Sequence, residues 1–254
     1  MPLPKATFRI SHLSLACVIG VATASASGQV VSLTSTRDNT LIEDSTGTLS
    51  NGSGTNIFAG VTAAFGIRRG LLAFKLRGFI PQDAVITRAE VTLYCDRARG
   101  GSVSMGLHSV DSSWGEGSSF SGLGGGVQAE RGDATWLTRF YGGGPDWRSA
   151  GGDFVATPSS VAAVSGSGRF YTWGGAGLVA DVQRWLADDD SNHGWLLKAE
   201  SEVVTREAKR FVSREGSNES RRPTLLVEYT VVPGPGVAAM GLIGSLFAVR
   251  RKRA

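Results

Sequence analysis

Cysteine is scarce in this chain, at 2 of 254 residues. Cys17 sits in an N-terminal apolar stretch and Cys95 stands alone beyond it, so a processed chain has no internal disulfide. Stability must then come from core packing, and Cys95 is expected to be buried and inert. Histidine is nearly as rare: after residue 26 only His108 and His193 remain. There is no G-x-S-x-G elbow and no H-E-x-x-H helix, which removes the local signatures of α/β-hydrolase and zincin chemistry. A Ser–His–Asp set is spatial and leaves no fixed order in sequence. Glu116 and Asp133 could be drawn as a glycosidase pair, but carboxylates this common fall near each other by accident. The chain reads as non-catalytic. Long apolar helical patterns are missing as well. Glycine, by contrast, is abundant at 35 residues, and short alternating segments lie between turn clusters. That combination favours strands joined by turns.

The formal net charge of +4 misleads. Lys5, Arg9, Arg250, Arg251, Lys252 and Arg253 lie in the two terminal segments; without these six cations the remaining chain carries −2. The basic balance belongs to the ends and argues for no nucleic-acid partner.

Those ends read as addresses. Lys5 and Arg9 precede an apolar stretch from Leu13 to Val21 and then Ala24-Ser25-Ala26, a secretory signal with its cut after Ala26. The implied partners are the export translocase and signal peptidase. At the other end, Pro233-Gly234-Pro235 leads through an apolar run to Val249 and then Arg250-Arg251-Lys252-Arg253. As a helix, residues 235–249 span roughly 22 Å at 1.5 Å per residue, short of the ~30 Å hydrocarbon core. Such a run suits a transient stop, with the basic cluster held on the cytoplasmic side. The plan resembles the bacterial PEP-CTERM sorting tail, with Gly234 in place of the family's glutamate. The resemblance implies an exosortase-like processing enzyme as partner and display at the cell surface or in the extracellular matrix. An ordinary single-span anchor is the competing reading.

About 200 residues remain between these segments, enough for one all-β domain over residues 27–232. Strands are expected over Val30–Ser35, Thr40–Glu43, Asn56–Ala59, Arg69–Leu76, Ala84–Cys95, Trp195–Lys198, Ala208–Ser213 and Thr224–Thr230, and around Val103, Met105 and Leu107. Ala89, Val91, Leu93 and Cys95 alternate as one inward face. Val179, Val182, Trp185 and Leu186 have a brief helical spacing. Residues 111–175 carry four of the six tryptophans and are expected to pack on the sheets as loops with short strands.

The succession Arg69-Gly-Leu-Leu-Ala-Phe-Lys-Leu, Ile80-Pro81, Ala84-Val-Ile-Thr-Arg-Ala-Glu-Val-Thr-Leu is similar to the core of the DNRLRE domain. Further matches follow in order: Trp114-x-Glu116, Ala134-Thr135-Trp136, Gly151-Gly152-Asp153, Val182–Leu186, Gly194–Leu197, and Phe211-Val-Ser-Arg-Glu215 with Pro223–Tyr229. Lys75 stands where the family commonly has Asp. These domains are related to family-96 carbohydrate-binding modules. The resemblance implies a β-sandwich of jelly-roll type and a non-catalytic extracellular module, with polysaccharide binding in some relatives.

Candidate sites follow from sugar chemistry. Sugar C–H faces stack on exposed aromatic rings and hydroxyls need planar polar partners; arginine also pairs bidentately with uronate carboxylates. Trp136, Tyr141, Trp147 and Tyr171, with Arg139 and Arg148, are the candidates for an acidic polysaccharide. The competing reading makes these aromatics filler beneath the long loop, in a structural or adhesive module with no glycan. Calcium is a candidate ligand of two oxygen-rich turns, one with Asp38 and Asp44, the other with Asp188 and Asp190. Neither has EF-hand spacing, and a solvated acidic turn is the alternative.

Overall fold

A computed structural model of the chain describes residues 27–64 and 66–231. The expected signal, residues 1–26, and the expected sorting tail with Pro233, Pro235, Arg250, Arg251, Lys252 and Arg253 lie outside the described residues. No helix among the described residues is long and apolar enough to cross a membrane.

The described chain is all-β and sandwich-like. Its strands are β1 (Ser27–Thr34), β2 (Arg37–Ile42), β3 (Leu49–Ser50), β4 (Asn56–Val61), β5 (Ile67–Ala73), β6 (Val85–Ala98), β7 (Val103–Ser109), β8 (Val127–Gln128), β9 (Ser160–Val164), β10 (Arg169–Gly174), β11 (Trp195–Ala199), β12 (Lys209–Val212) and β13 (Thr224–Val231); a single helix, α1 (Ala176–Ala187), precedes β11.

Two curled antiparallel sheets share β4. In the first, β6 carries β13 and then β12 along one edge and β10 along the other, with β1 outside β13. In the second, β5 lies between β2 and β11, and β7 and β9 follow β11. Residues 56–59 of β4 pair with β12, whereas Gly60 and Val61 pair with β5. The change of sheet falls at Gly60, where φ is +100° and a Cβ would meet the Glu207 carbonyl oxygen at 3.0 Å. Glycine is the residue that allows such a corner.

Period-two alternation builds the main core. Ala89, Val91, Leu93 and Cys95 of β6 are all buried, facing Leu72, Leu107, Trp195 and Leu197 of the second sheet within one cluster. The helical spacing noted in sequence forms α1, which buries Leu178, Val182, Trp185 and Leu186. Gln183 ties α1 to the start of β6, accepting from the Ile86 N–H at 2.9 Å and donating to the Ala84 carbonyl at 3.2 Å. Trp185 and Trp195 lie 4.4 Å apart between ring centroids, deep in this core.

A second core covers the outer face of the second sheet. Leu41, Leu71 and Leu196 alternate with the inward residues, and Val110, Trp114, Ala134, Trp136 and Trp147 pack over them. The expectation for residues 111–175 therefore holds for the first two thirds, where β8 is the lone short strand. The last third differs: β9 and β10 are full members of the sheets, and Trp173 sits in the main core with Nε1 donating to the Met105 carbonyl at 2.7 Å.

Candidate functional site: a cationic cleft and a closed carboxylate cluster

The residues proposed for sugar stacking do not form one surface. Trp136 and Trp147 are only 8% and 5% exposed, which corrects their expected role as open platforms. The physical reason is the apolar outer face of β2, β5 and β11, which needs covering more than the rings need solvent. The Trp147 indole donates to the Thr135 carbonyl at 2.9 Å. The Trp136 ring lies under the Arg69 guanidinium, 4.9 Å from its centroid, and Arg69 is itself held bidentately by Glu202. Tyr141 is partly exposed and accepts from Gln128 Nε2 at 3.1 Å. Arg139 is half-buried, its backbone in the Gly115 and Pro145 turns. Arg148 is exposed and paired with Asp111 and Asp153. Tyr171 belongs to the first sheet, on β10, with its hydroxyl spent on Gly166.

The calcium candidates also separate. Asp44 caps an exposed turn through Thr46 and Thr48, and those hydrogen bonds hold its carboxyl below the usual range. Asp188 caps the short 3-10 turn Asp189–Ser191 by accepting from the Asp190 N–H at 3.2 Å, and Asp190 is exposed. These two behave as solvated acidic turns. Asp38 is different: it is fully buried and meets carboxylates distant in sequence.

Strand pairing assembles a cationic cleft that the sequence hides. Arg210 of β12 stands opposite Arg97 of β6 on one side and Phe58 of β4 on the other. Arg68 enters from β5, opposite Gly60. The turns carrying Arg99 and Arg206 close the rim of a cleft of about 730 Å³. Like charges directly opposite each other on neighbouring strands repel. Asp96 offsets this for Arg210, gripping it bidentately at 2.7 and 2.9 Å. Arg97, Arg99 and Arg206 are exposed and make no ion pair among the described residues. Arg68 is buried at the cleft wall, donating to the Gly124 and Ile67 carbonyls at 2.7 and 2.8 Å.

Lys209 shapes this cleft from beneath. Its side chain is fully buried, and Nζ donates to the Arg99 and Gly101 carbonyls at 2.6 and 2.7 Å. Burial holds its pKa below the usual lysine value. The ammonium thus fixes the turn that presents Arg99.

The carboxylate cluster is built the opposite way. Asp38 comes from β2, Glu116 from the loop after Trp114, and Glu215 from the turn after β12. One oxygen of each lies within 4.8 Å of the others. Glu116 grips Arg214 through Nε and Nη2 at 2.6 and 2.8 Å and accepts from the Asp38 N–H at 2.9 Å. Asp38 Oδ2 accepts from the Arg214 N–H at 2.7 Å, whereas Oδ1 is buried with no hydrogen-bond partner. Arg214 Nε also lies 2.8 Å from Glu215 Oε1, but out of line for a hydrogen bond, so both Glu215 oxygens are buried and unpartnered. Burial first, and then Glu215 and Glu116, push the Asp38 carboxyl well above its ordinary range against the Arg214 N–H. Burial likewise raises Glu215, partly opposed by Arg214. Two local features fix the loop: Asn39 Nδ2 donates to the Glu116 carbonyl at 2.8 Å, and Gly117 has φ +75° with no room for a Cβ beside Asp133.

No protein-family model matches the chain, and no curated protein matches it. The geometry carries the functional argument.

Sequence reasoning does not bring together Arg68, Arg97, Arg99, Arg206 and Arg210 because they are scattered across three distant segments. The usable signal was charge that the terminal segments masked: removing those ends leaves the arginines of 97–99 and 206–210 as two basic clusters. Glu116 stood out in sequence in Trp-x-Glu and as a carboxylate to set beside Asp133, and Glu215 in Ser-Arg-Glu, but neither was tied to Asp38.

Proposed function

We propose that this chain is a non-catalytic exported protein of the cell surface or matrix whose β-sandwich binds an acidic polysaccharide in the arginine-lined cleft. The observation that carries the reading is the convergence of Arg97, Arg99 and Arg206, exposed and unpaired among the described residues, around about 730 Å³ of open cleft. Guanidinium forks match carboxylate geometry bidentately and are weakly hydrated, so they suit uronate chains. Ala63 and Ala64 contribute exposed apolar wall for sugar C–H faces. The local charge runs against the −2 balance of the chain between its terminal segments, so the cleft is a concentration of cations rather than a sample of the average surface.

The resemblance to the DNRLRE domain supports a carbohydrate-binding module, and the resemblance of the C-terminal segment to a PEP-CTERM tail supports sorting by an exosortase-like enzyme. In this reading the signal is removed after Ala26, and the tail holds the protein at the inner membrane before release or display.

Affinity-gel retardation on polyuronate and on neutral polysaccharides tests this function. Retardation by the polyuronate alone, lost in Arg97→Ala/Arg99→Ala with the melting temperature unchanged, supports it. Equal mobility on every gel rejects it. One observation favours a second reading, a structural or adhesive module without a glycan: Trp136 and Trp147 are buried as core. Equal mobility would select that reading.

A further inference from the structure

We propose that Asp38, Glu215 and Glu116 form a binding site for one calcium ion, closing the junction between β2, the loop after Trp114 and the turn after β12. Arg214 places its guanidinium fork on Glu116, so that pair is close to neutral. Asp38 and Glu215 are left as two carboxylates without an in-line cationic partner. Arg37 does not supply one, since it donates to the Trp114 carbonyl at 2.8 Å and lies over the Trp114 ring. Three carboxylates thus share the one guanidinium of Arg214, which also lies 2.8 Å from Glu215 Oε1, and the net charge of −2 that they carry when ionised matches one divalent ion.

The free lone pairs point the same way. Asp38 is 0% exposed, yet its Oδ1 has no donor, and neither Glu215 oxygen has one. A buried carboxylate oxygen without a donor is costly, and native proteins avoid it unless something else fills the place. Oxygens around calcium at about 2.3–2.6 Å lie at most about 4.6–5.2 Å apart. The three carboxylates each offer an oxygen within 4.8 Å of the others. The donor set is oxygen alone, with no histidine or thiol, which selects a hard cation over zinc or copper. Asp38 and Glu215 would be the direct ligands, and Glu116, already braced by Arg214 and the Asp38 N–H, would complete one side.

The site joins parts of the chain far apart in sequence, 78 residues between Asp38 and Glu116 and 98 between Glu116 and Arg214. A bound ion would therefore act as a staple in a chain with no disulfide. This proposal is independent of the glycan reading.

The test is thermal melting of the full-length protein, stripped with chelator and then titrated with calcium. Calcium is expected to raise Tm by roughly 5 °C at saturation. That increment should vanish in Asp38→Asn and in Glu215→Gln and persist in the Asp44→Asn/Asp188→Asn protein. No increment in the wild type, an increment retained in both cluster variants, or one lost in the Asp44/Asp188 variant would overturn the site. Should neither cluster variant fold, calorimetric titration of the stripped Asp44→Asn/Asp188→Asn protein decides. One site per chain supports the proposal, and heat equal to dilution overturns it.

Discussion

The cationic cleft and the carboxylate cluster use the same two residue types in opposite settings. The cleft leaves arginine forks in solvent, where charge costs little and stays available to a partner. The cluster takes carboxylates out of solvent, where each must be compensated inside the protein. An open charged region is free to bind and contributes little to stability; a closed one is a structural joint whose errors are felt by the whole fold. The two regions lie on connected elements, since β12 carries Arg210 into the cleft and the turn after it carries Arg214 and Glu215 into the cluster.

If that contrast is right, substitutions on the closed side should move stability without moving glycan affinity. The largest effect is expected at Trp114, which is fully buried between the second core and the Arg37 guanidinium. Trp114→Ala should cost about 3–5 kcal/mol in urea unfolding, while the folded fraction keeps its retardation on a polyuronate gel. A loss of retardation equal to that of the arginine variant would merge the two regions.

On the open side the reverse is expected. Arg97→Ala/Arg99→Ala should weaken polyuronate binding by at least about tenfold, or about 1.4 kcal/mol, and shift stability by no more than about 0.5 kcal/mol because both side chains are exposed. Binding should also fall as salt rises from about 0.05 to about 0.5 M, because exposed charges are screened. Salt-independent retardation would place the contact elsewhere.

A pH series sharpens the closed side. Asp38 and Glu215 have carboxyls raised by burial, so they hold protons more tightly folded than unfolded. The stability they lend is full below the ordinary carboxylate range and is lost as pH rises through their raised folded values. In chelator, the melting temperature should therefore decline as pH rises above the ordinary carboxylate range of about 4, relative to Asp38→Asn, which keeps a neutral amide throughout. Parallel curves for the two proteins would remove Asp38 from this account.

The smallest effect concerns Lys209. Lys209→Met keeps an apolar stem but removes the two bonds to the 99–101 turn. A weakening of polyuronate binding of about threefold is expected, measured by the same gel, as Arg99 loses its fixed position.

Much of the fold was legible in the residues. The alternation through Ala89, Val91, Leu93 and Cys95 marked the inward face of β6, because a strand's side chains change face at every step. The spacing of Val182, Trp185 and Leu186 marked α1 for the corresponding helical reason. The long Trp-rich segment was correctly read as packing on the sheets, but its end was not, since β9 and β10 are edge-paired strands whose partners are remote in sequence. The candidate sites were far less legible. Tryptophan near arginine looks the same in sequence whether the ring is open or, like Trp136, capped by Arg69 over an apolar face. The cleft depends on the registers Arg210 with Arg97 and Gly60 with Arg68, which only the folded sheets define. Asp38 was singled out as an oxygen ligand, but its neighbours were sought nearby in the chain, whereas they arrive from Glu116 and Glu215.

The most direct measurement is the polyuronate titration of wild type beside Arg97→Ala/Arg99→Ala, with Trp147→Ala as the companion. The account predicts saturable binding by the wild type, a loss of at least about tenfold in the arginine variant, and unchanged affinity in whatever fraction of Trp147→Ala folds. Binding that survives the loss of both arginines, or that disappears with folded Trp147→Ala, would contradict it.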